Sequence, residues 1–314
     1  MTNPIEAEAL VRTFGDVHAV EGVDIVVGDG EIFGFLGPNG AGKSTTVRML
    51  TTLLKPTGGR ARVAGYDVVK DAAMVRRSIG VALQDAAIDP LMTGTELMRL
   101  QAVLHGIPRA AAEQRSDELL ERVGLTAAAR RRVGTYSGGM RRRLDLAMSL
   151  IHQPAVLFLD EPTTGLDPTS RLNLWDEVRN LNREGTTVFL TTQYLEEADE
   201  LAGRIAIIDH GRIVREGRPS DLKAAVGAPT LKLEVAPEQE AAAKQALARF
   251  GEERVARHGV LAIGLEGGPS EMTAVVRALD EAGVEIRHLE LDAPTLDDVF
   301  ADATGYRLEG AASA

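Results

Sequence analysis

GPNGAGKST, residues Gly37 to Thr45, stands between a short apolar run, Glu31 to Leu36, and a segment with helical spacing, Ser44 to Leu54. A glycine-rich loop that leaves a strand and opens a helix is the setting a phosphate-binding loop requires. Gly37, Gly40 and Gly42, interleaved with Pro38, Asn39 and Ala41, let backbone N–H groups curl around a phosphate, and the helix N-terminus adds its partial positive charge. Lys43 is placed to reach the β- and γ-phosphates of a nucleotide, and the Ser44 hydroxyl, followed by Thr45, to take a position on Mg²⁺.

Such a loop needs a carboxylate from a neighbouring strand. AVLFLDEP, Ala155 to Pro162, supplies two: the apolar run ends at Asp160, suited to the metal's outer shell, and Glu161 follows at the strand's carboxyl end, where a carboxylate can polarise an attacking water. In YSGGMRRRLDLA, Tyr136 to Ala147, the small residues Ser137, Gly138 and Gly139 precede a helix read from Met140 to His152. That is a second helix N-terminus fit for an anion. By itself it would be an ordinary turn and cap; beside a phosphate loop it implies a second phosphate contact.

The remaining chain bounds these readings. Its 314 residues, 44% hydrophobic and 26% charged, suffice for one large domain and a smaller one. A net charge of −11 argues against nucleic acid as a partner. The absence of cysteine excludes disulfides, thiolate metal sites and a cysteine nucleophile. MTNPIEAEALVRTFG has no apolar core of a secretion signal, and no apolar run approaches the length of about 18 residues needed to cross a bilayer, so a membrane connection is expected through a partner.

Strand-like and helix-like segments alternate. Ala7 to Val11 and Val23 to Val27 read as strands of an edge sheet; Ile79 to Leu83, Ala155 to Leu159 and Thr187 to Leu190 read as buried strands, with a helix from Ser170 to Asn182. Between Met92 and Val133 the pattern is helical, with a capping box at Thr93 to Glu96 and a second helix from Arg109 to Val123. Ile205 to Ile208 and Arg212 to Arg215 form a hairpin around His210-Gly211. Composition shifts near Val226 to Pro229. Beyond it the order is strand (Leu231 to Val235), helix (Pro237 to Phe250), two strands (Arg254 to Arg257, Val260 to Leu265), helix (Ser270 to Ala282) and strand (Glu285 to Leu291), the split-βαβ pattern, then a helix from Thr295 to Ala303.

Taken together, the loop at Gly37 to Ser44, Gln84 in VALQD, Ser137 to Met140, Val156 to Asp160, Glu161 and Gly165-Leu166-Asp167 resemble the nucleotide-binding subunit of an ABC transporter, in family order over roughly residues 6 to 220. LDAPTLDDVFADATG, Leu291 to Gly305, resembles the C-terminal extension of the drug-resistance branch, similar to daunorubicin/doxorubicin-resistance exporter ATPases. The resemblance implies an α/β fold of the ABC-type P-loop NTPase: a mixed sheet core, an antiparallel edge sheet and a helical subdomain at about 86–150. Residues 1–226 would form the nucleotide-binding domain and 227–314 an α+β accessory domain. It further implies ATP and Mg²⁺ as cofactors, a separately encoded transmembrane permease as partner at the cytoplasmic face of the cell membrane, and a head-to-tail dimer, of two identical or two different ATPase subunits, closing on ATP. In that dimer Ser137 of one copy faces the γ-phosphate held by the Lys43 loop of the other.

Residue by residue, the resemblance makes Glu161 the catalytic carboxylate, puts Asp167 in the D-loop, Phe14 where an aromatic stacks on adenine, and Gln84 on Mg²⁺ or its water. In TTQYLEEADE, Thr191 to Glu200, Gln193 occupies the strand end where the family carries a switch histidine. An amide can donate to a phosphate oxygen but cannot become a cation, so slower turnover is expected. The arginine runs Arg130 to Arg132 and Arg141 to Arg143 read as solvated helix faces, and Met92, Leu97, Met98 and Leu100 as candidates for contact with the membrane partner. Thr295 to Phe300 is expected to support dimerisation or partner assembly. The alternative, a soluble ABC ATPase acting on ribosomes or DNA, is opposed by the single P-loop and the short helical insert. The transported substrate, drug-like by the tail alone, would be set by the partner.

Overall fold

The computed structural model describes residues 3–83, 88–254 and 260–306. The chain separates into two compact units, Met1–Pro219 and Ser220–Ala314.

The first unit begins with a hairpin. β1 (Ile5–Phe14) and β2 (Val17–Val27) pair antiparallel through Gly15 and Asp16 and run several residues longer than the hydrophobic alternation indicated. β3 (Ile32–Leu36) enters the glycine loop and α1 (Lys43–Leu50) leaves it. α1 stops four residues short of the expected Leu54, because Thr52 adopts a positive φ of 66° and Pro56 lies ahead. Between α1 and Ile79 three elements escaped the sequence reading: β4 (Gly58–Val63), β5 (Tyr66–Asp67) and α2 (Ala72–Ser78), which lead to β6 (Ile79–Ala82). Strands β2-β1-β4-β5 form the antiparallel sheet.

The helical insert holds α3 (Gly94–Leu104), α4 (Arg109–Arg122) and α5 (Gly138–Ser149). The Thr93/Glu96 capping box is fully formed. Leu97 and Met98, expected at the partner contact, are instead core residues, 4% and 0% exposed. The exposed apolar side chains of α3 are Leu100, Val103 and Leu104. A period of 3.6 residues cannot place Leu97, Met98 and Leu100 on one face, and burial of the first two turns the third outward.

β7 (Val156–Asp160), α6 (Pro168–Arg183), β8 (Thr187–Thr192), α7 (Leu195–Leu201), β9 (Arg204–Asp209) and β10 (Arg212–Gly217) complete the main sheet. Its order is β10-β9-β3-β8-β7-β6, with β9 to β6 all parallel to their neighbours and β10 antiparallel at one edge. Phe189 of β8 lies 5.5–5.6 Å, centroid to centroid, from Phe33, Phe35 and Phe158, so the three strands beneath the glycine loop share one aromatic layer.

α8 (Pro219–Val226) spans the division between the units. The second unit contains β11 (Thr230–Glu234), α9 (Glu240–Leu247), β12 (Glu253–Arg254), β13 (Leu261–Gly264), α10 (Met272–Glu281), β14 (His288–Asp292) and α11 (Leu296–Thr304). The antiparallel order β12-β13-β11-β14 is the split-βαβ arrangement. Part of the expected Arg254 to Arg257 strand lies outside the described residues. Leu296, Val299 and Phe300 of α11 are buried within the chain, so this apolar face is not presented to solvent.

His105, just after α3, stacks on His152, just after α5, with ring centroids 3.8 Å apart. Burial is the first cause that pushes His152 down to about 4, with His105 adding to it. A histidine kept neutral in the fold contributes nothing above its unfolded pKa and costs stability as pH falls from about 6.5 toward 4. Relative to wild type, His152→Asn is therefore expected to gain about 1–2 kcal/mol between pH 7 and pH 5, measured by denaturant titration at each pH. Parallel pH curves for the two proteins would reject this origin of acid sensitivity.

Candidate nucleotide site

The glycine loop is fixed by contacts that tolerate no side chain. At Gly37 a Cβ would lie 2.3 Å from the Ile208 carbonyl oxygen, and at Gly42, where φ is 109°, 2.5 Å from that of Ala19. Ala41 carbonyl accepts from Gly211 N–H at 3.0 Å, so the β9–β10 hairpin braces the loop from one side. Among the described residues no side chain caps α1, in contrast to α3 and α5, and its first N–H groups therefore point at whatever the loop encloses.

Lys43 is 3% exposed. Its ammonium donates to the Gly37 carbonyl at 2.7 Å and that of Pro38 at 3.1 Å, and lies 3.5 Å from Glu161 Oε1. Burial pushes the Lys43 pKa below its usual range, and Glu161 and Asp160 oppose that shift. Ser44 Oγ donates to Asp160 Oδ1 at 3.3 Å. Two hard oxygen ligands thus converge beside a buried ammonium at the mouth of a glycine cradle, a set that fits a nucleotide's phosphates with Mg²⁺.

Glu161 is not on regular strand: its φ is +48°, in the left-handed region, which costs a non-glycine residue about 1–3 kcal/mol. Thr191 holds it there. The Glu161 N–H donates to the Thr191 carbonyl at 3.0 Å and the Thr191 hydroxyl at 3.2 Å, and that hydroxyl donates in turn to Asp160 Oδ1. Thr191 is fully buried on β8, directly opposite Asp160 on β7 and Phe35 on β3. The sequence reading passed over it, since only the strand order puts this threonine between the loop and the carboxylates; the clue was the pair of buried hydroxyls, Thr191 and Thr192, that ends the apolar run Val188 to Leu190.

The other expected site residues stand further out. Ser137 caps α5, its hydroxyl accepting from Met140 N–H at 3.2 Å. Gly138 lines a cavity of about 360 Å³ that also touches Glu161, Gly165 and Leu166, and beyond Gly138 there is room for a Cβ. Gly139 packs against Ser170, where a Cβ would sit 3.1 Å from its hydroxyl. Asp167 caps α6, accepting from Ser170 N–H at 3.0 Å and Ser170 Oγ at 2.6 Å, and these bonds hold its carboxyl below the usual range. The Phe14 ring is 46% exposed beneath the Arg12 guanidinium, 4.3 Å away, and is no core residue. Gln193 is half-buried just beyond β8, where Tyr194 N–H donates to the Thr192 hydroxyl at 2.9 Å and turns the chain. Among the described residues none of these four, Ser137, Asp167, Phe14 and Gln193, hydrogen-bonds to Lys43. Gln84 lies outside the described residues.

One expectation is corrected. Arg142 and Arg143 are not solvated: Arg143 donates to the Val123 carbonyl at 2.9 Å, and Arg142 turns inward to main-chain carbonyls near Glu161. Three consecutive helical residues sweep about 200° around the axis, so a run of three cannot lie on one solvent face.

Residues 20–164 match the family model described as ABC transporter, and residues 217–304 match ATP-binding protein DrrA1-3-like, C-terminal domain. The chain is 47% identical to the daunorubicin resistance ATP-binding protein DrrA3 of Streptomyces coeruleorubidus, covering 96% of each chain. It belongs to the ABC transporter ATP-binding family. This ABC subunit is also 43% identical to the doxorubicin resistance ATP-binding protein DrrA of Mycobacterium tuberculosis, over 92% of this chain and 89% of that one. With the linearmycin resistance ATP-binding protein LnrL of Bacillus subtilis it shares 35% identity over 97% and 99%. Among solved structures, cbiO1 from Clostridium perfringens, part of an ABC transporter complex, is similar with a TM-score of 0.66 and 27% identity, over 71% of this chain and 92% of that one. As a member of the family, the chain binds ATP and hydrolyses it to power a transporter.

Thr191→Val in this ABC subunit keeps side-chain shape and removes the hydroxyl. It is expected to lower stability by about 1–3 kcal/mol through loss of the hydroxyl's charge-assisted bond to Asp160 Oδ1, which keeps only Ser44 Oγ as donor, and of its bond from the Glu161 N–H. Turnover is expected to fall at least about tenfold through loss of the Glu161 and Asp160 geometry. Steady-state ATP hydrolysis and denaturant unfolding check both, and unchanged turnover would contradict this role for Thr191.

Proposed function

We propose that this ATPase subunit binds Mg-ATP at the loop Gly37 to Thr45 and drives a separately encoded membrane exporter of hydrophobic, drug-like molecules. The observation that carries the site assignment is the convergence of Lys43, Ser44, Asp160, Thr191 and Glu161 at the carboxyl ends of three adjacent parallel strands. Lys43 would exchange its carbonyl and Glu161 contacts for phosphate oxygens. Ser44 and Asp160 would hold Mg²⁺, with Gln84 as a further ligand; the ion supplies charge neutralisation at the phosphates. Released from Lys43, Glu161 would accept the proton of the attacking water. Phe14 would offer a ring face to adenine. Ser137 and Gly138 would meet the γ-phosphate bound by a second ATPase subunit in a head-to-tail dimer, with Asp167 beside the same contact.

Gln193 would sense the γ-phosphate through its amide. A carboxamide neither gains charge nor returns a proton near neutral pH, so its part in hydrolysis is confined to orientation. Gln193→His is expected to raise turnover about two- to tenfold, with KM little changed, since charge would then develop with the transition state. A rate equal to or below wild type would remove Gln193 as the limit on turnover.

Among the described residues no helix is long and apolar enough to cross a membrane. Attachment to the cytoplasmic face would therefore run through the partner, and the exposed Leu100, Val103 and Leu104 of α3 are the side chains for it. The relatives bear the names of daunorubicin, doxorubicin and linearmycin resistance proteins, which supports drug export over a soluble ATPase acting on ribosomes or DNA.

The test is capture of tagged Glu161→Gln protein with Mg-ATP from detergent-solubilised membranes of the native host. One polytopic membrane protein is expected to co-purify, and to be lost on Leu100→Glu/Val103→Glu substitution while ATP binding persists. Recovery of ribosomal proteins or nucleic acid without a membrane protein would overturn the exporter reading.

A further inference from the structure

Arg142 is the feature that the nucleotide site, as described, leaves unused. It stands on α5, five residues beyond Ser137, and its side chain is only 12% exposed. Its guanidinium spreads over three separate stretches of chain. Nε donates to the Pro162 carbonyl at 3.0 Å, Nη2 to the Asp160 carbonyl at 2.6 Å, and Nη1 to the Leu83 carbonyl at 2.5 Å. Asp145, one turn along the same helix, lies 3.5 Å from Nη1. Burial pushes the Asp145 carboxyl up to about 7, and Arg142 pulls against that shift.

The two carbonyls of β7 and its exit belong to the residues on either side of Glu161. The peptide at Glu161 is therefore held from two directions: Thr191 takes its N–H, and Arg142 takes the carbonyl before it and the carbonyl after it. A left-handed residue persists only where its surroundings over-determine it. Here the surroundings include these bonds and Thr164, whose N–H donates to the Glu161 carbonyl at 3.3 Å and whose hydroxyl donates to Glu161 Oε2 at 3.4 Å. The third acceptor, Leu83, is the residue immediately before Gln84.

We infer that Arg142 is the positioning residue for Glu161, fixing the left-handed backbone that aims the carboxylate across the Lys43 site and tying that geometry to the end of β6 and to α5, the helix that Ser137 caps. A planar fork of five donors suits the task, because one rigid group must reach carbonyls lying in different directions. A lysine ammonium in the same place keeps the charge but cannot span them. The inference rests on Glu161 being the carboxylate that activates water.

The experiment compares the full-length wild type with Arg142→Ala, Arg142→Lys, Glu161→Gln and the Arg142→Ala/Glu161→Gln double variant. Turnover, KM, binding of a fluorescent ATP analogue and melting temperature are measured for each. Arg142→Ala is expected to lose about 10- to 100-fold in kcat while analogue binding and KM stay within about threefold, the pattern of a misplaced proton acceptor. Arg142→Lys is expected to recover little of that loss, and the double variant to be no slower than Glu161→Gln alone, because the same function is already gone. If Arg142→Ala melts below the assay temperature, Arg142→Lys takes its place in the comparison, with the same expected loss. A wild-type kcat in the arginine variants, with Glu161→Gln slow, overturns the positioning role and leaves the assignment of Glu161 standing. So does an arginine effect that multiplies in full on top of Glu161→Gln. A wild-type rate for Glu161→Gln removes Glu161 as the base, and the positioning role falls with it.

Discussion

A buried ammonium has to be surrounded by oxygen, and Lys43 is the point around which this nucleotide-binding unit is arranged. Two loop carbonyls, the Glu161 carboxylate and nearby Asp160 answer its charge. To bring them within reach, the loop must turn through conformations that glycine alone adopts comfortably, and two strands must end level with it. The parallel register of β3, β8 and β7 makes them do so. The same carboxylates that satisfy the lysine are those a nucleotide would release, so the stabilising contact and the proposed proton acceptor are one pair of charges.

Around this pair the site is built from small backbone constraints rather than from long side chains. Thr191 and Arg142 touch mainly peptide groups, and the Glu161 carboxylate is placed by the conformation they impose. Such positioning is inexpensive in entropy, since most of the participating atoms are already fixed by the sheet and by α5. It also makes the site sensitive to residues that never approach the substrate.

What could be read from the sequence followed the distance over which each signal acts. The glycine loop, the Asp160-Glu161 strand end and the Ser137 cap are local patterns, and each appears in the structure where its own residues placed it. The capping box at Thr93 was legible for the same reason, as was the helix start at Thr295, where the structure adds a second box closed by Asp298. The β-strand order was not, and with it went Thr191, whose importance arises only from standing between β3 and β7. Arg142 was hidden differently: a run of like charges suggests solvent, yet helical rotation turns Arg142 and Arg143 back onto the chain. Leu97 and Met98 were misplaced because an apolar residue gives the same signal whether it packs within its own chain or against another. β5 and α2 are too short to show an apolar stripe, and β4 alternates only from Arg60 to Val63, after two glycines.

The uncapped start of α1 has a consequence for how the protein survives. α3 and α5 close their first turns with their own side chains, whereas α1 begins in the glycine loop with no side-chain cap, and a bound phosphate would take that place. Nucleotide would then complete the fold as well as serve as fuel, and the native state would gain RT ln(1 + [L]/Kd) from it, about 2.7 kcal/mol at a hundredfold excess over Kd. Loss of ATP would then lower the stability of the subunit together with its turnover.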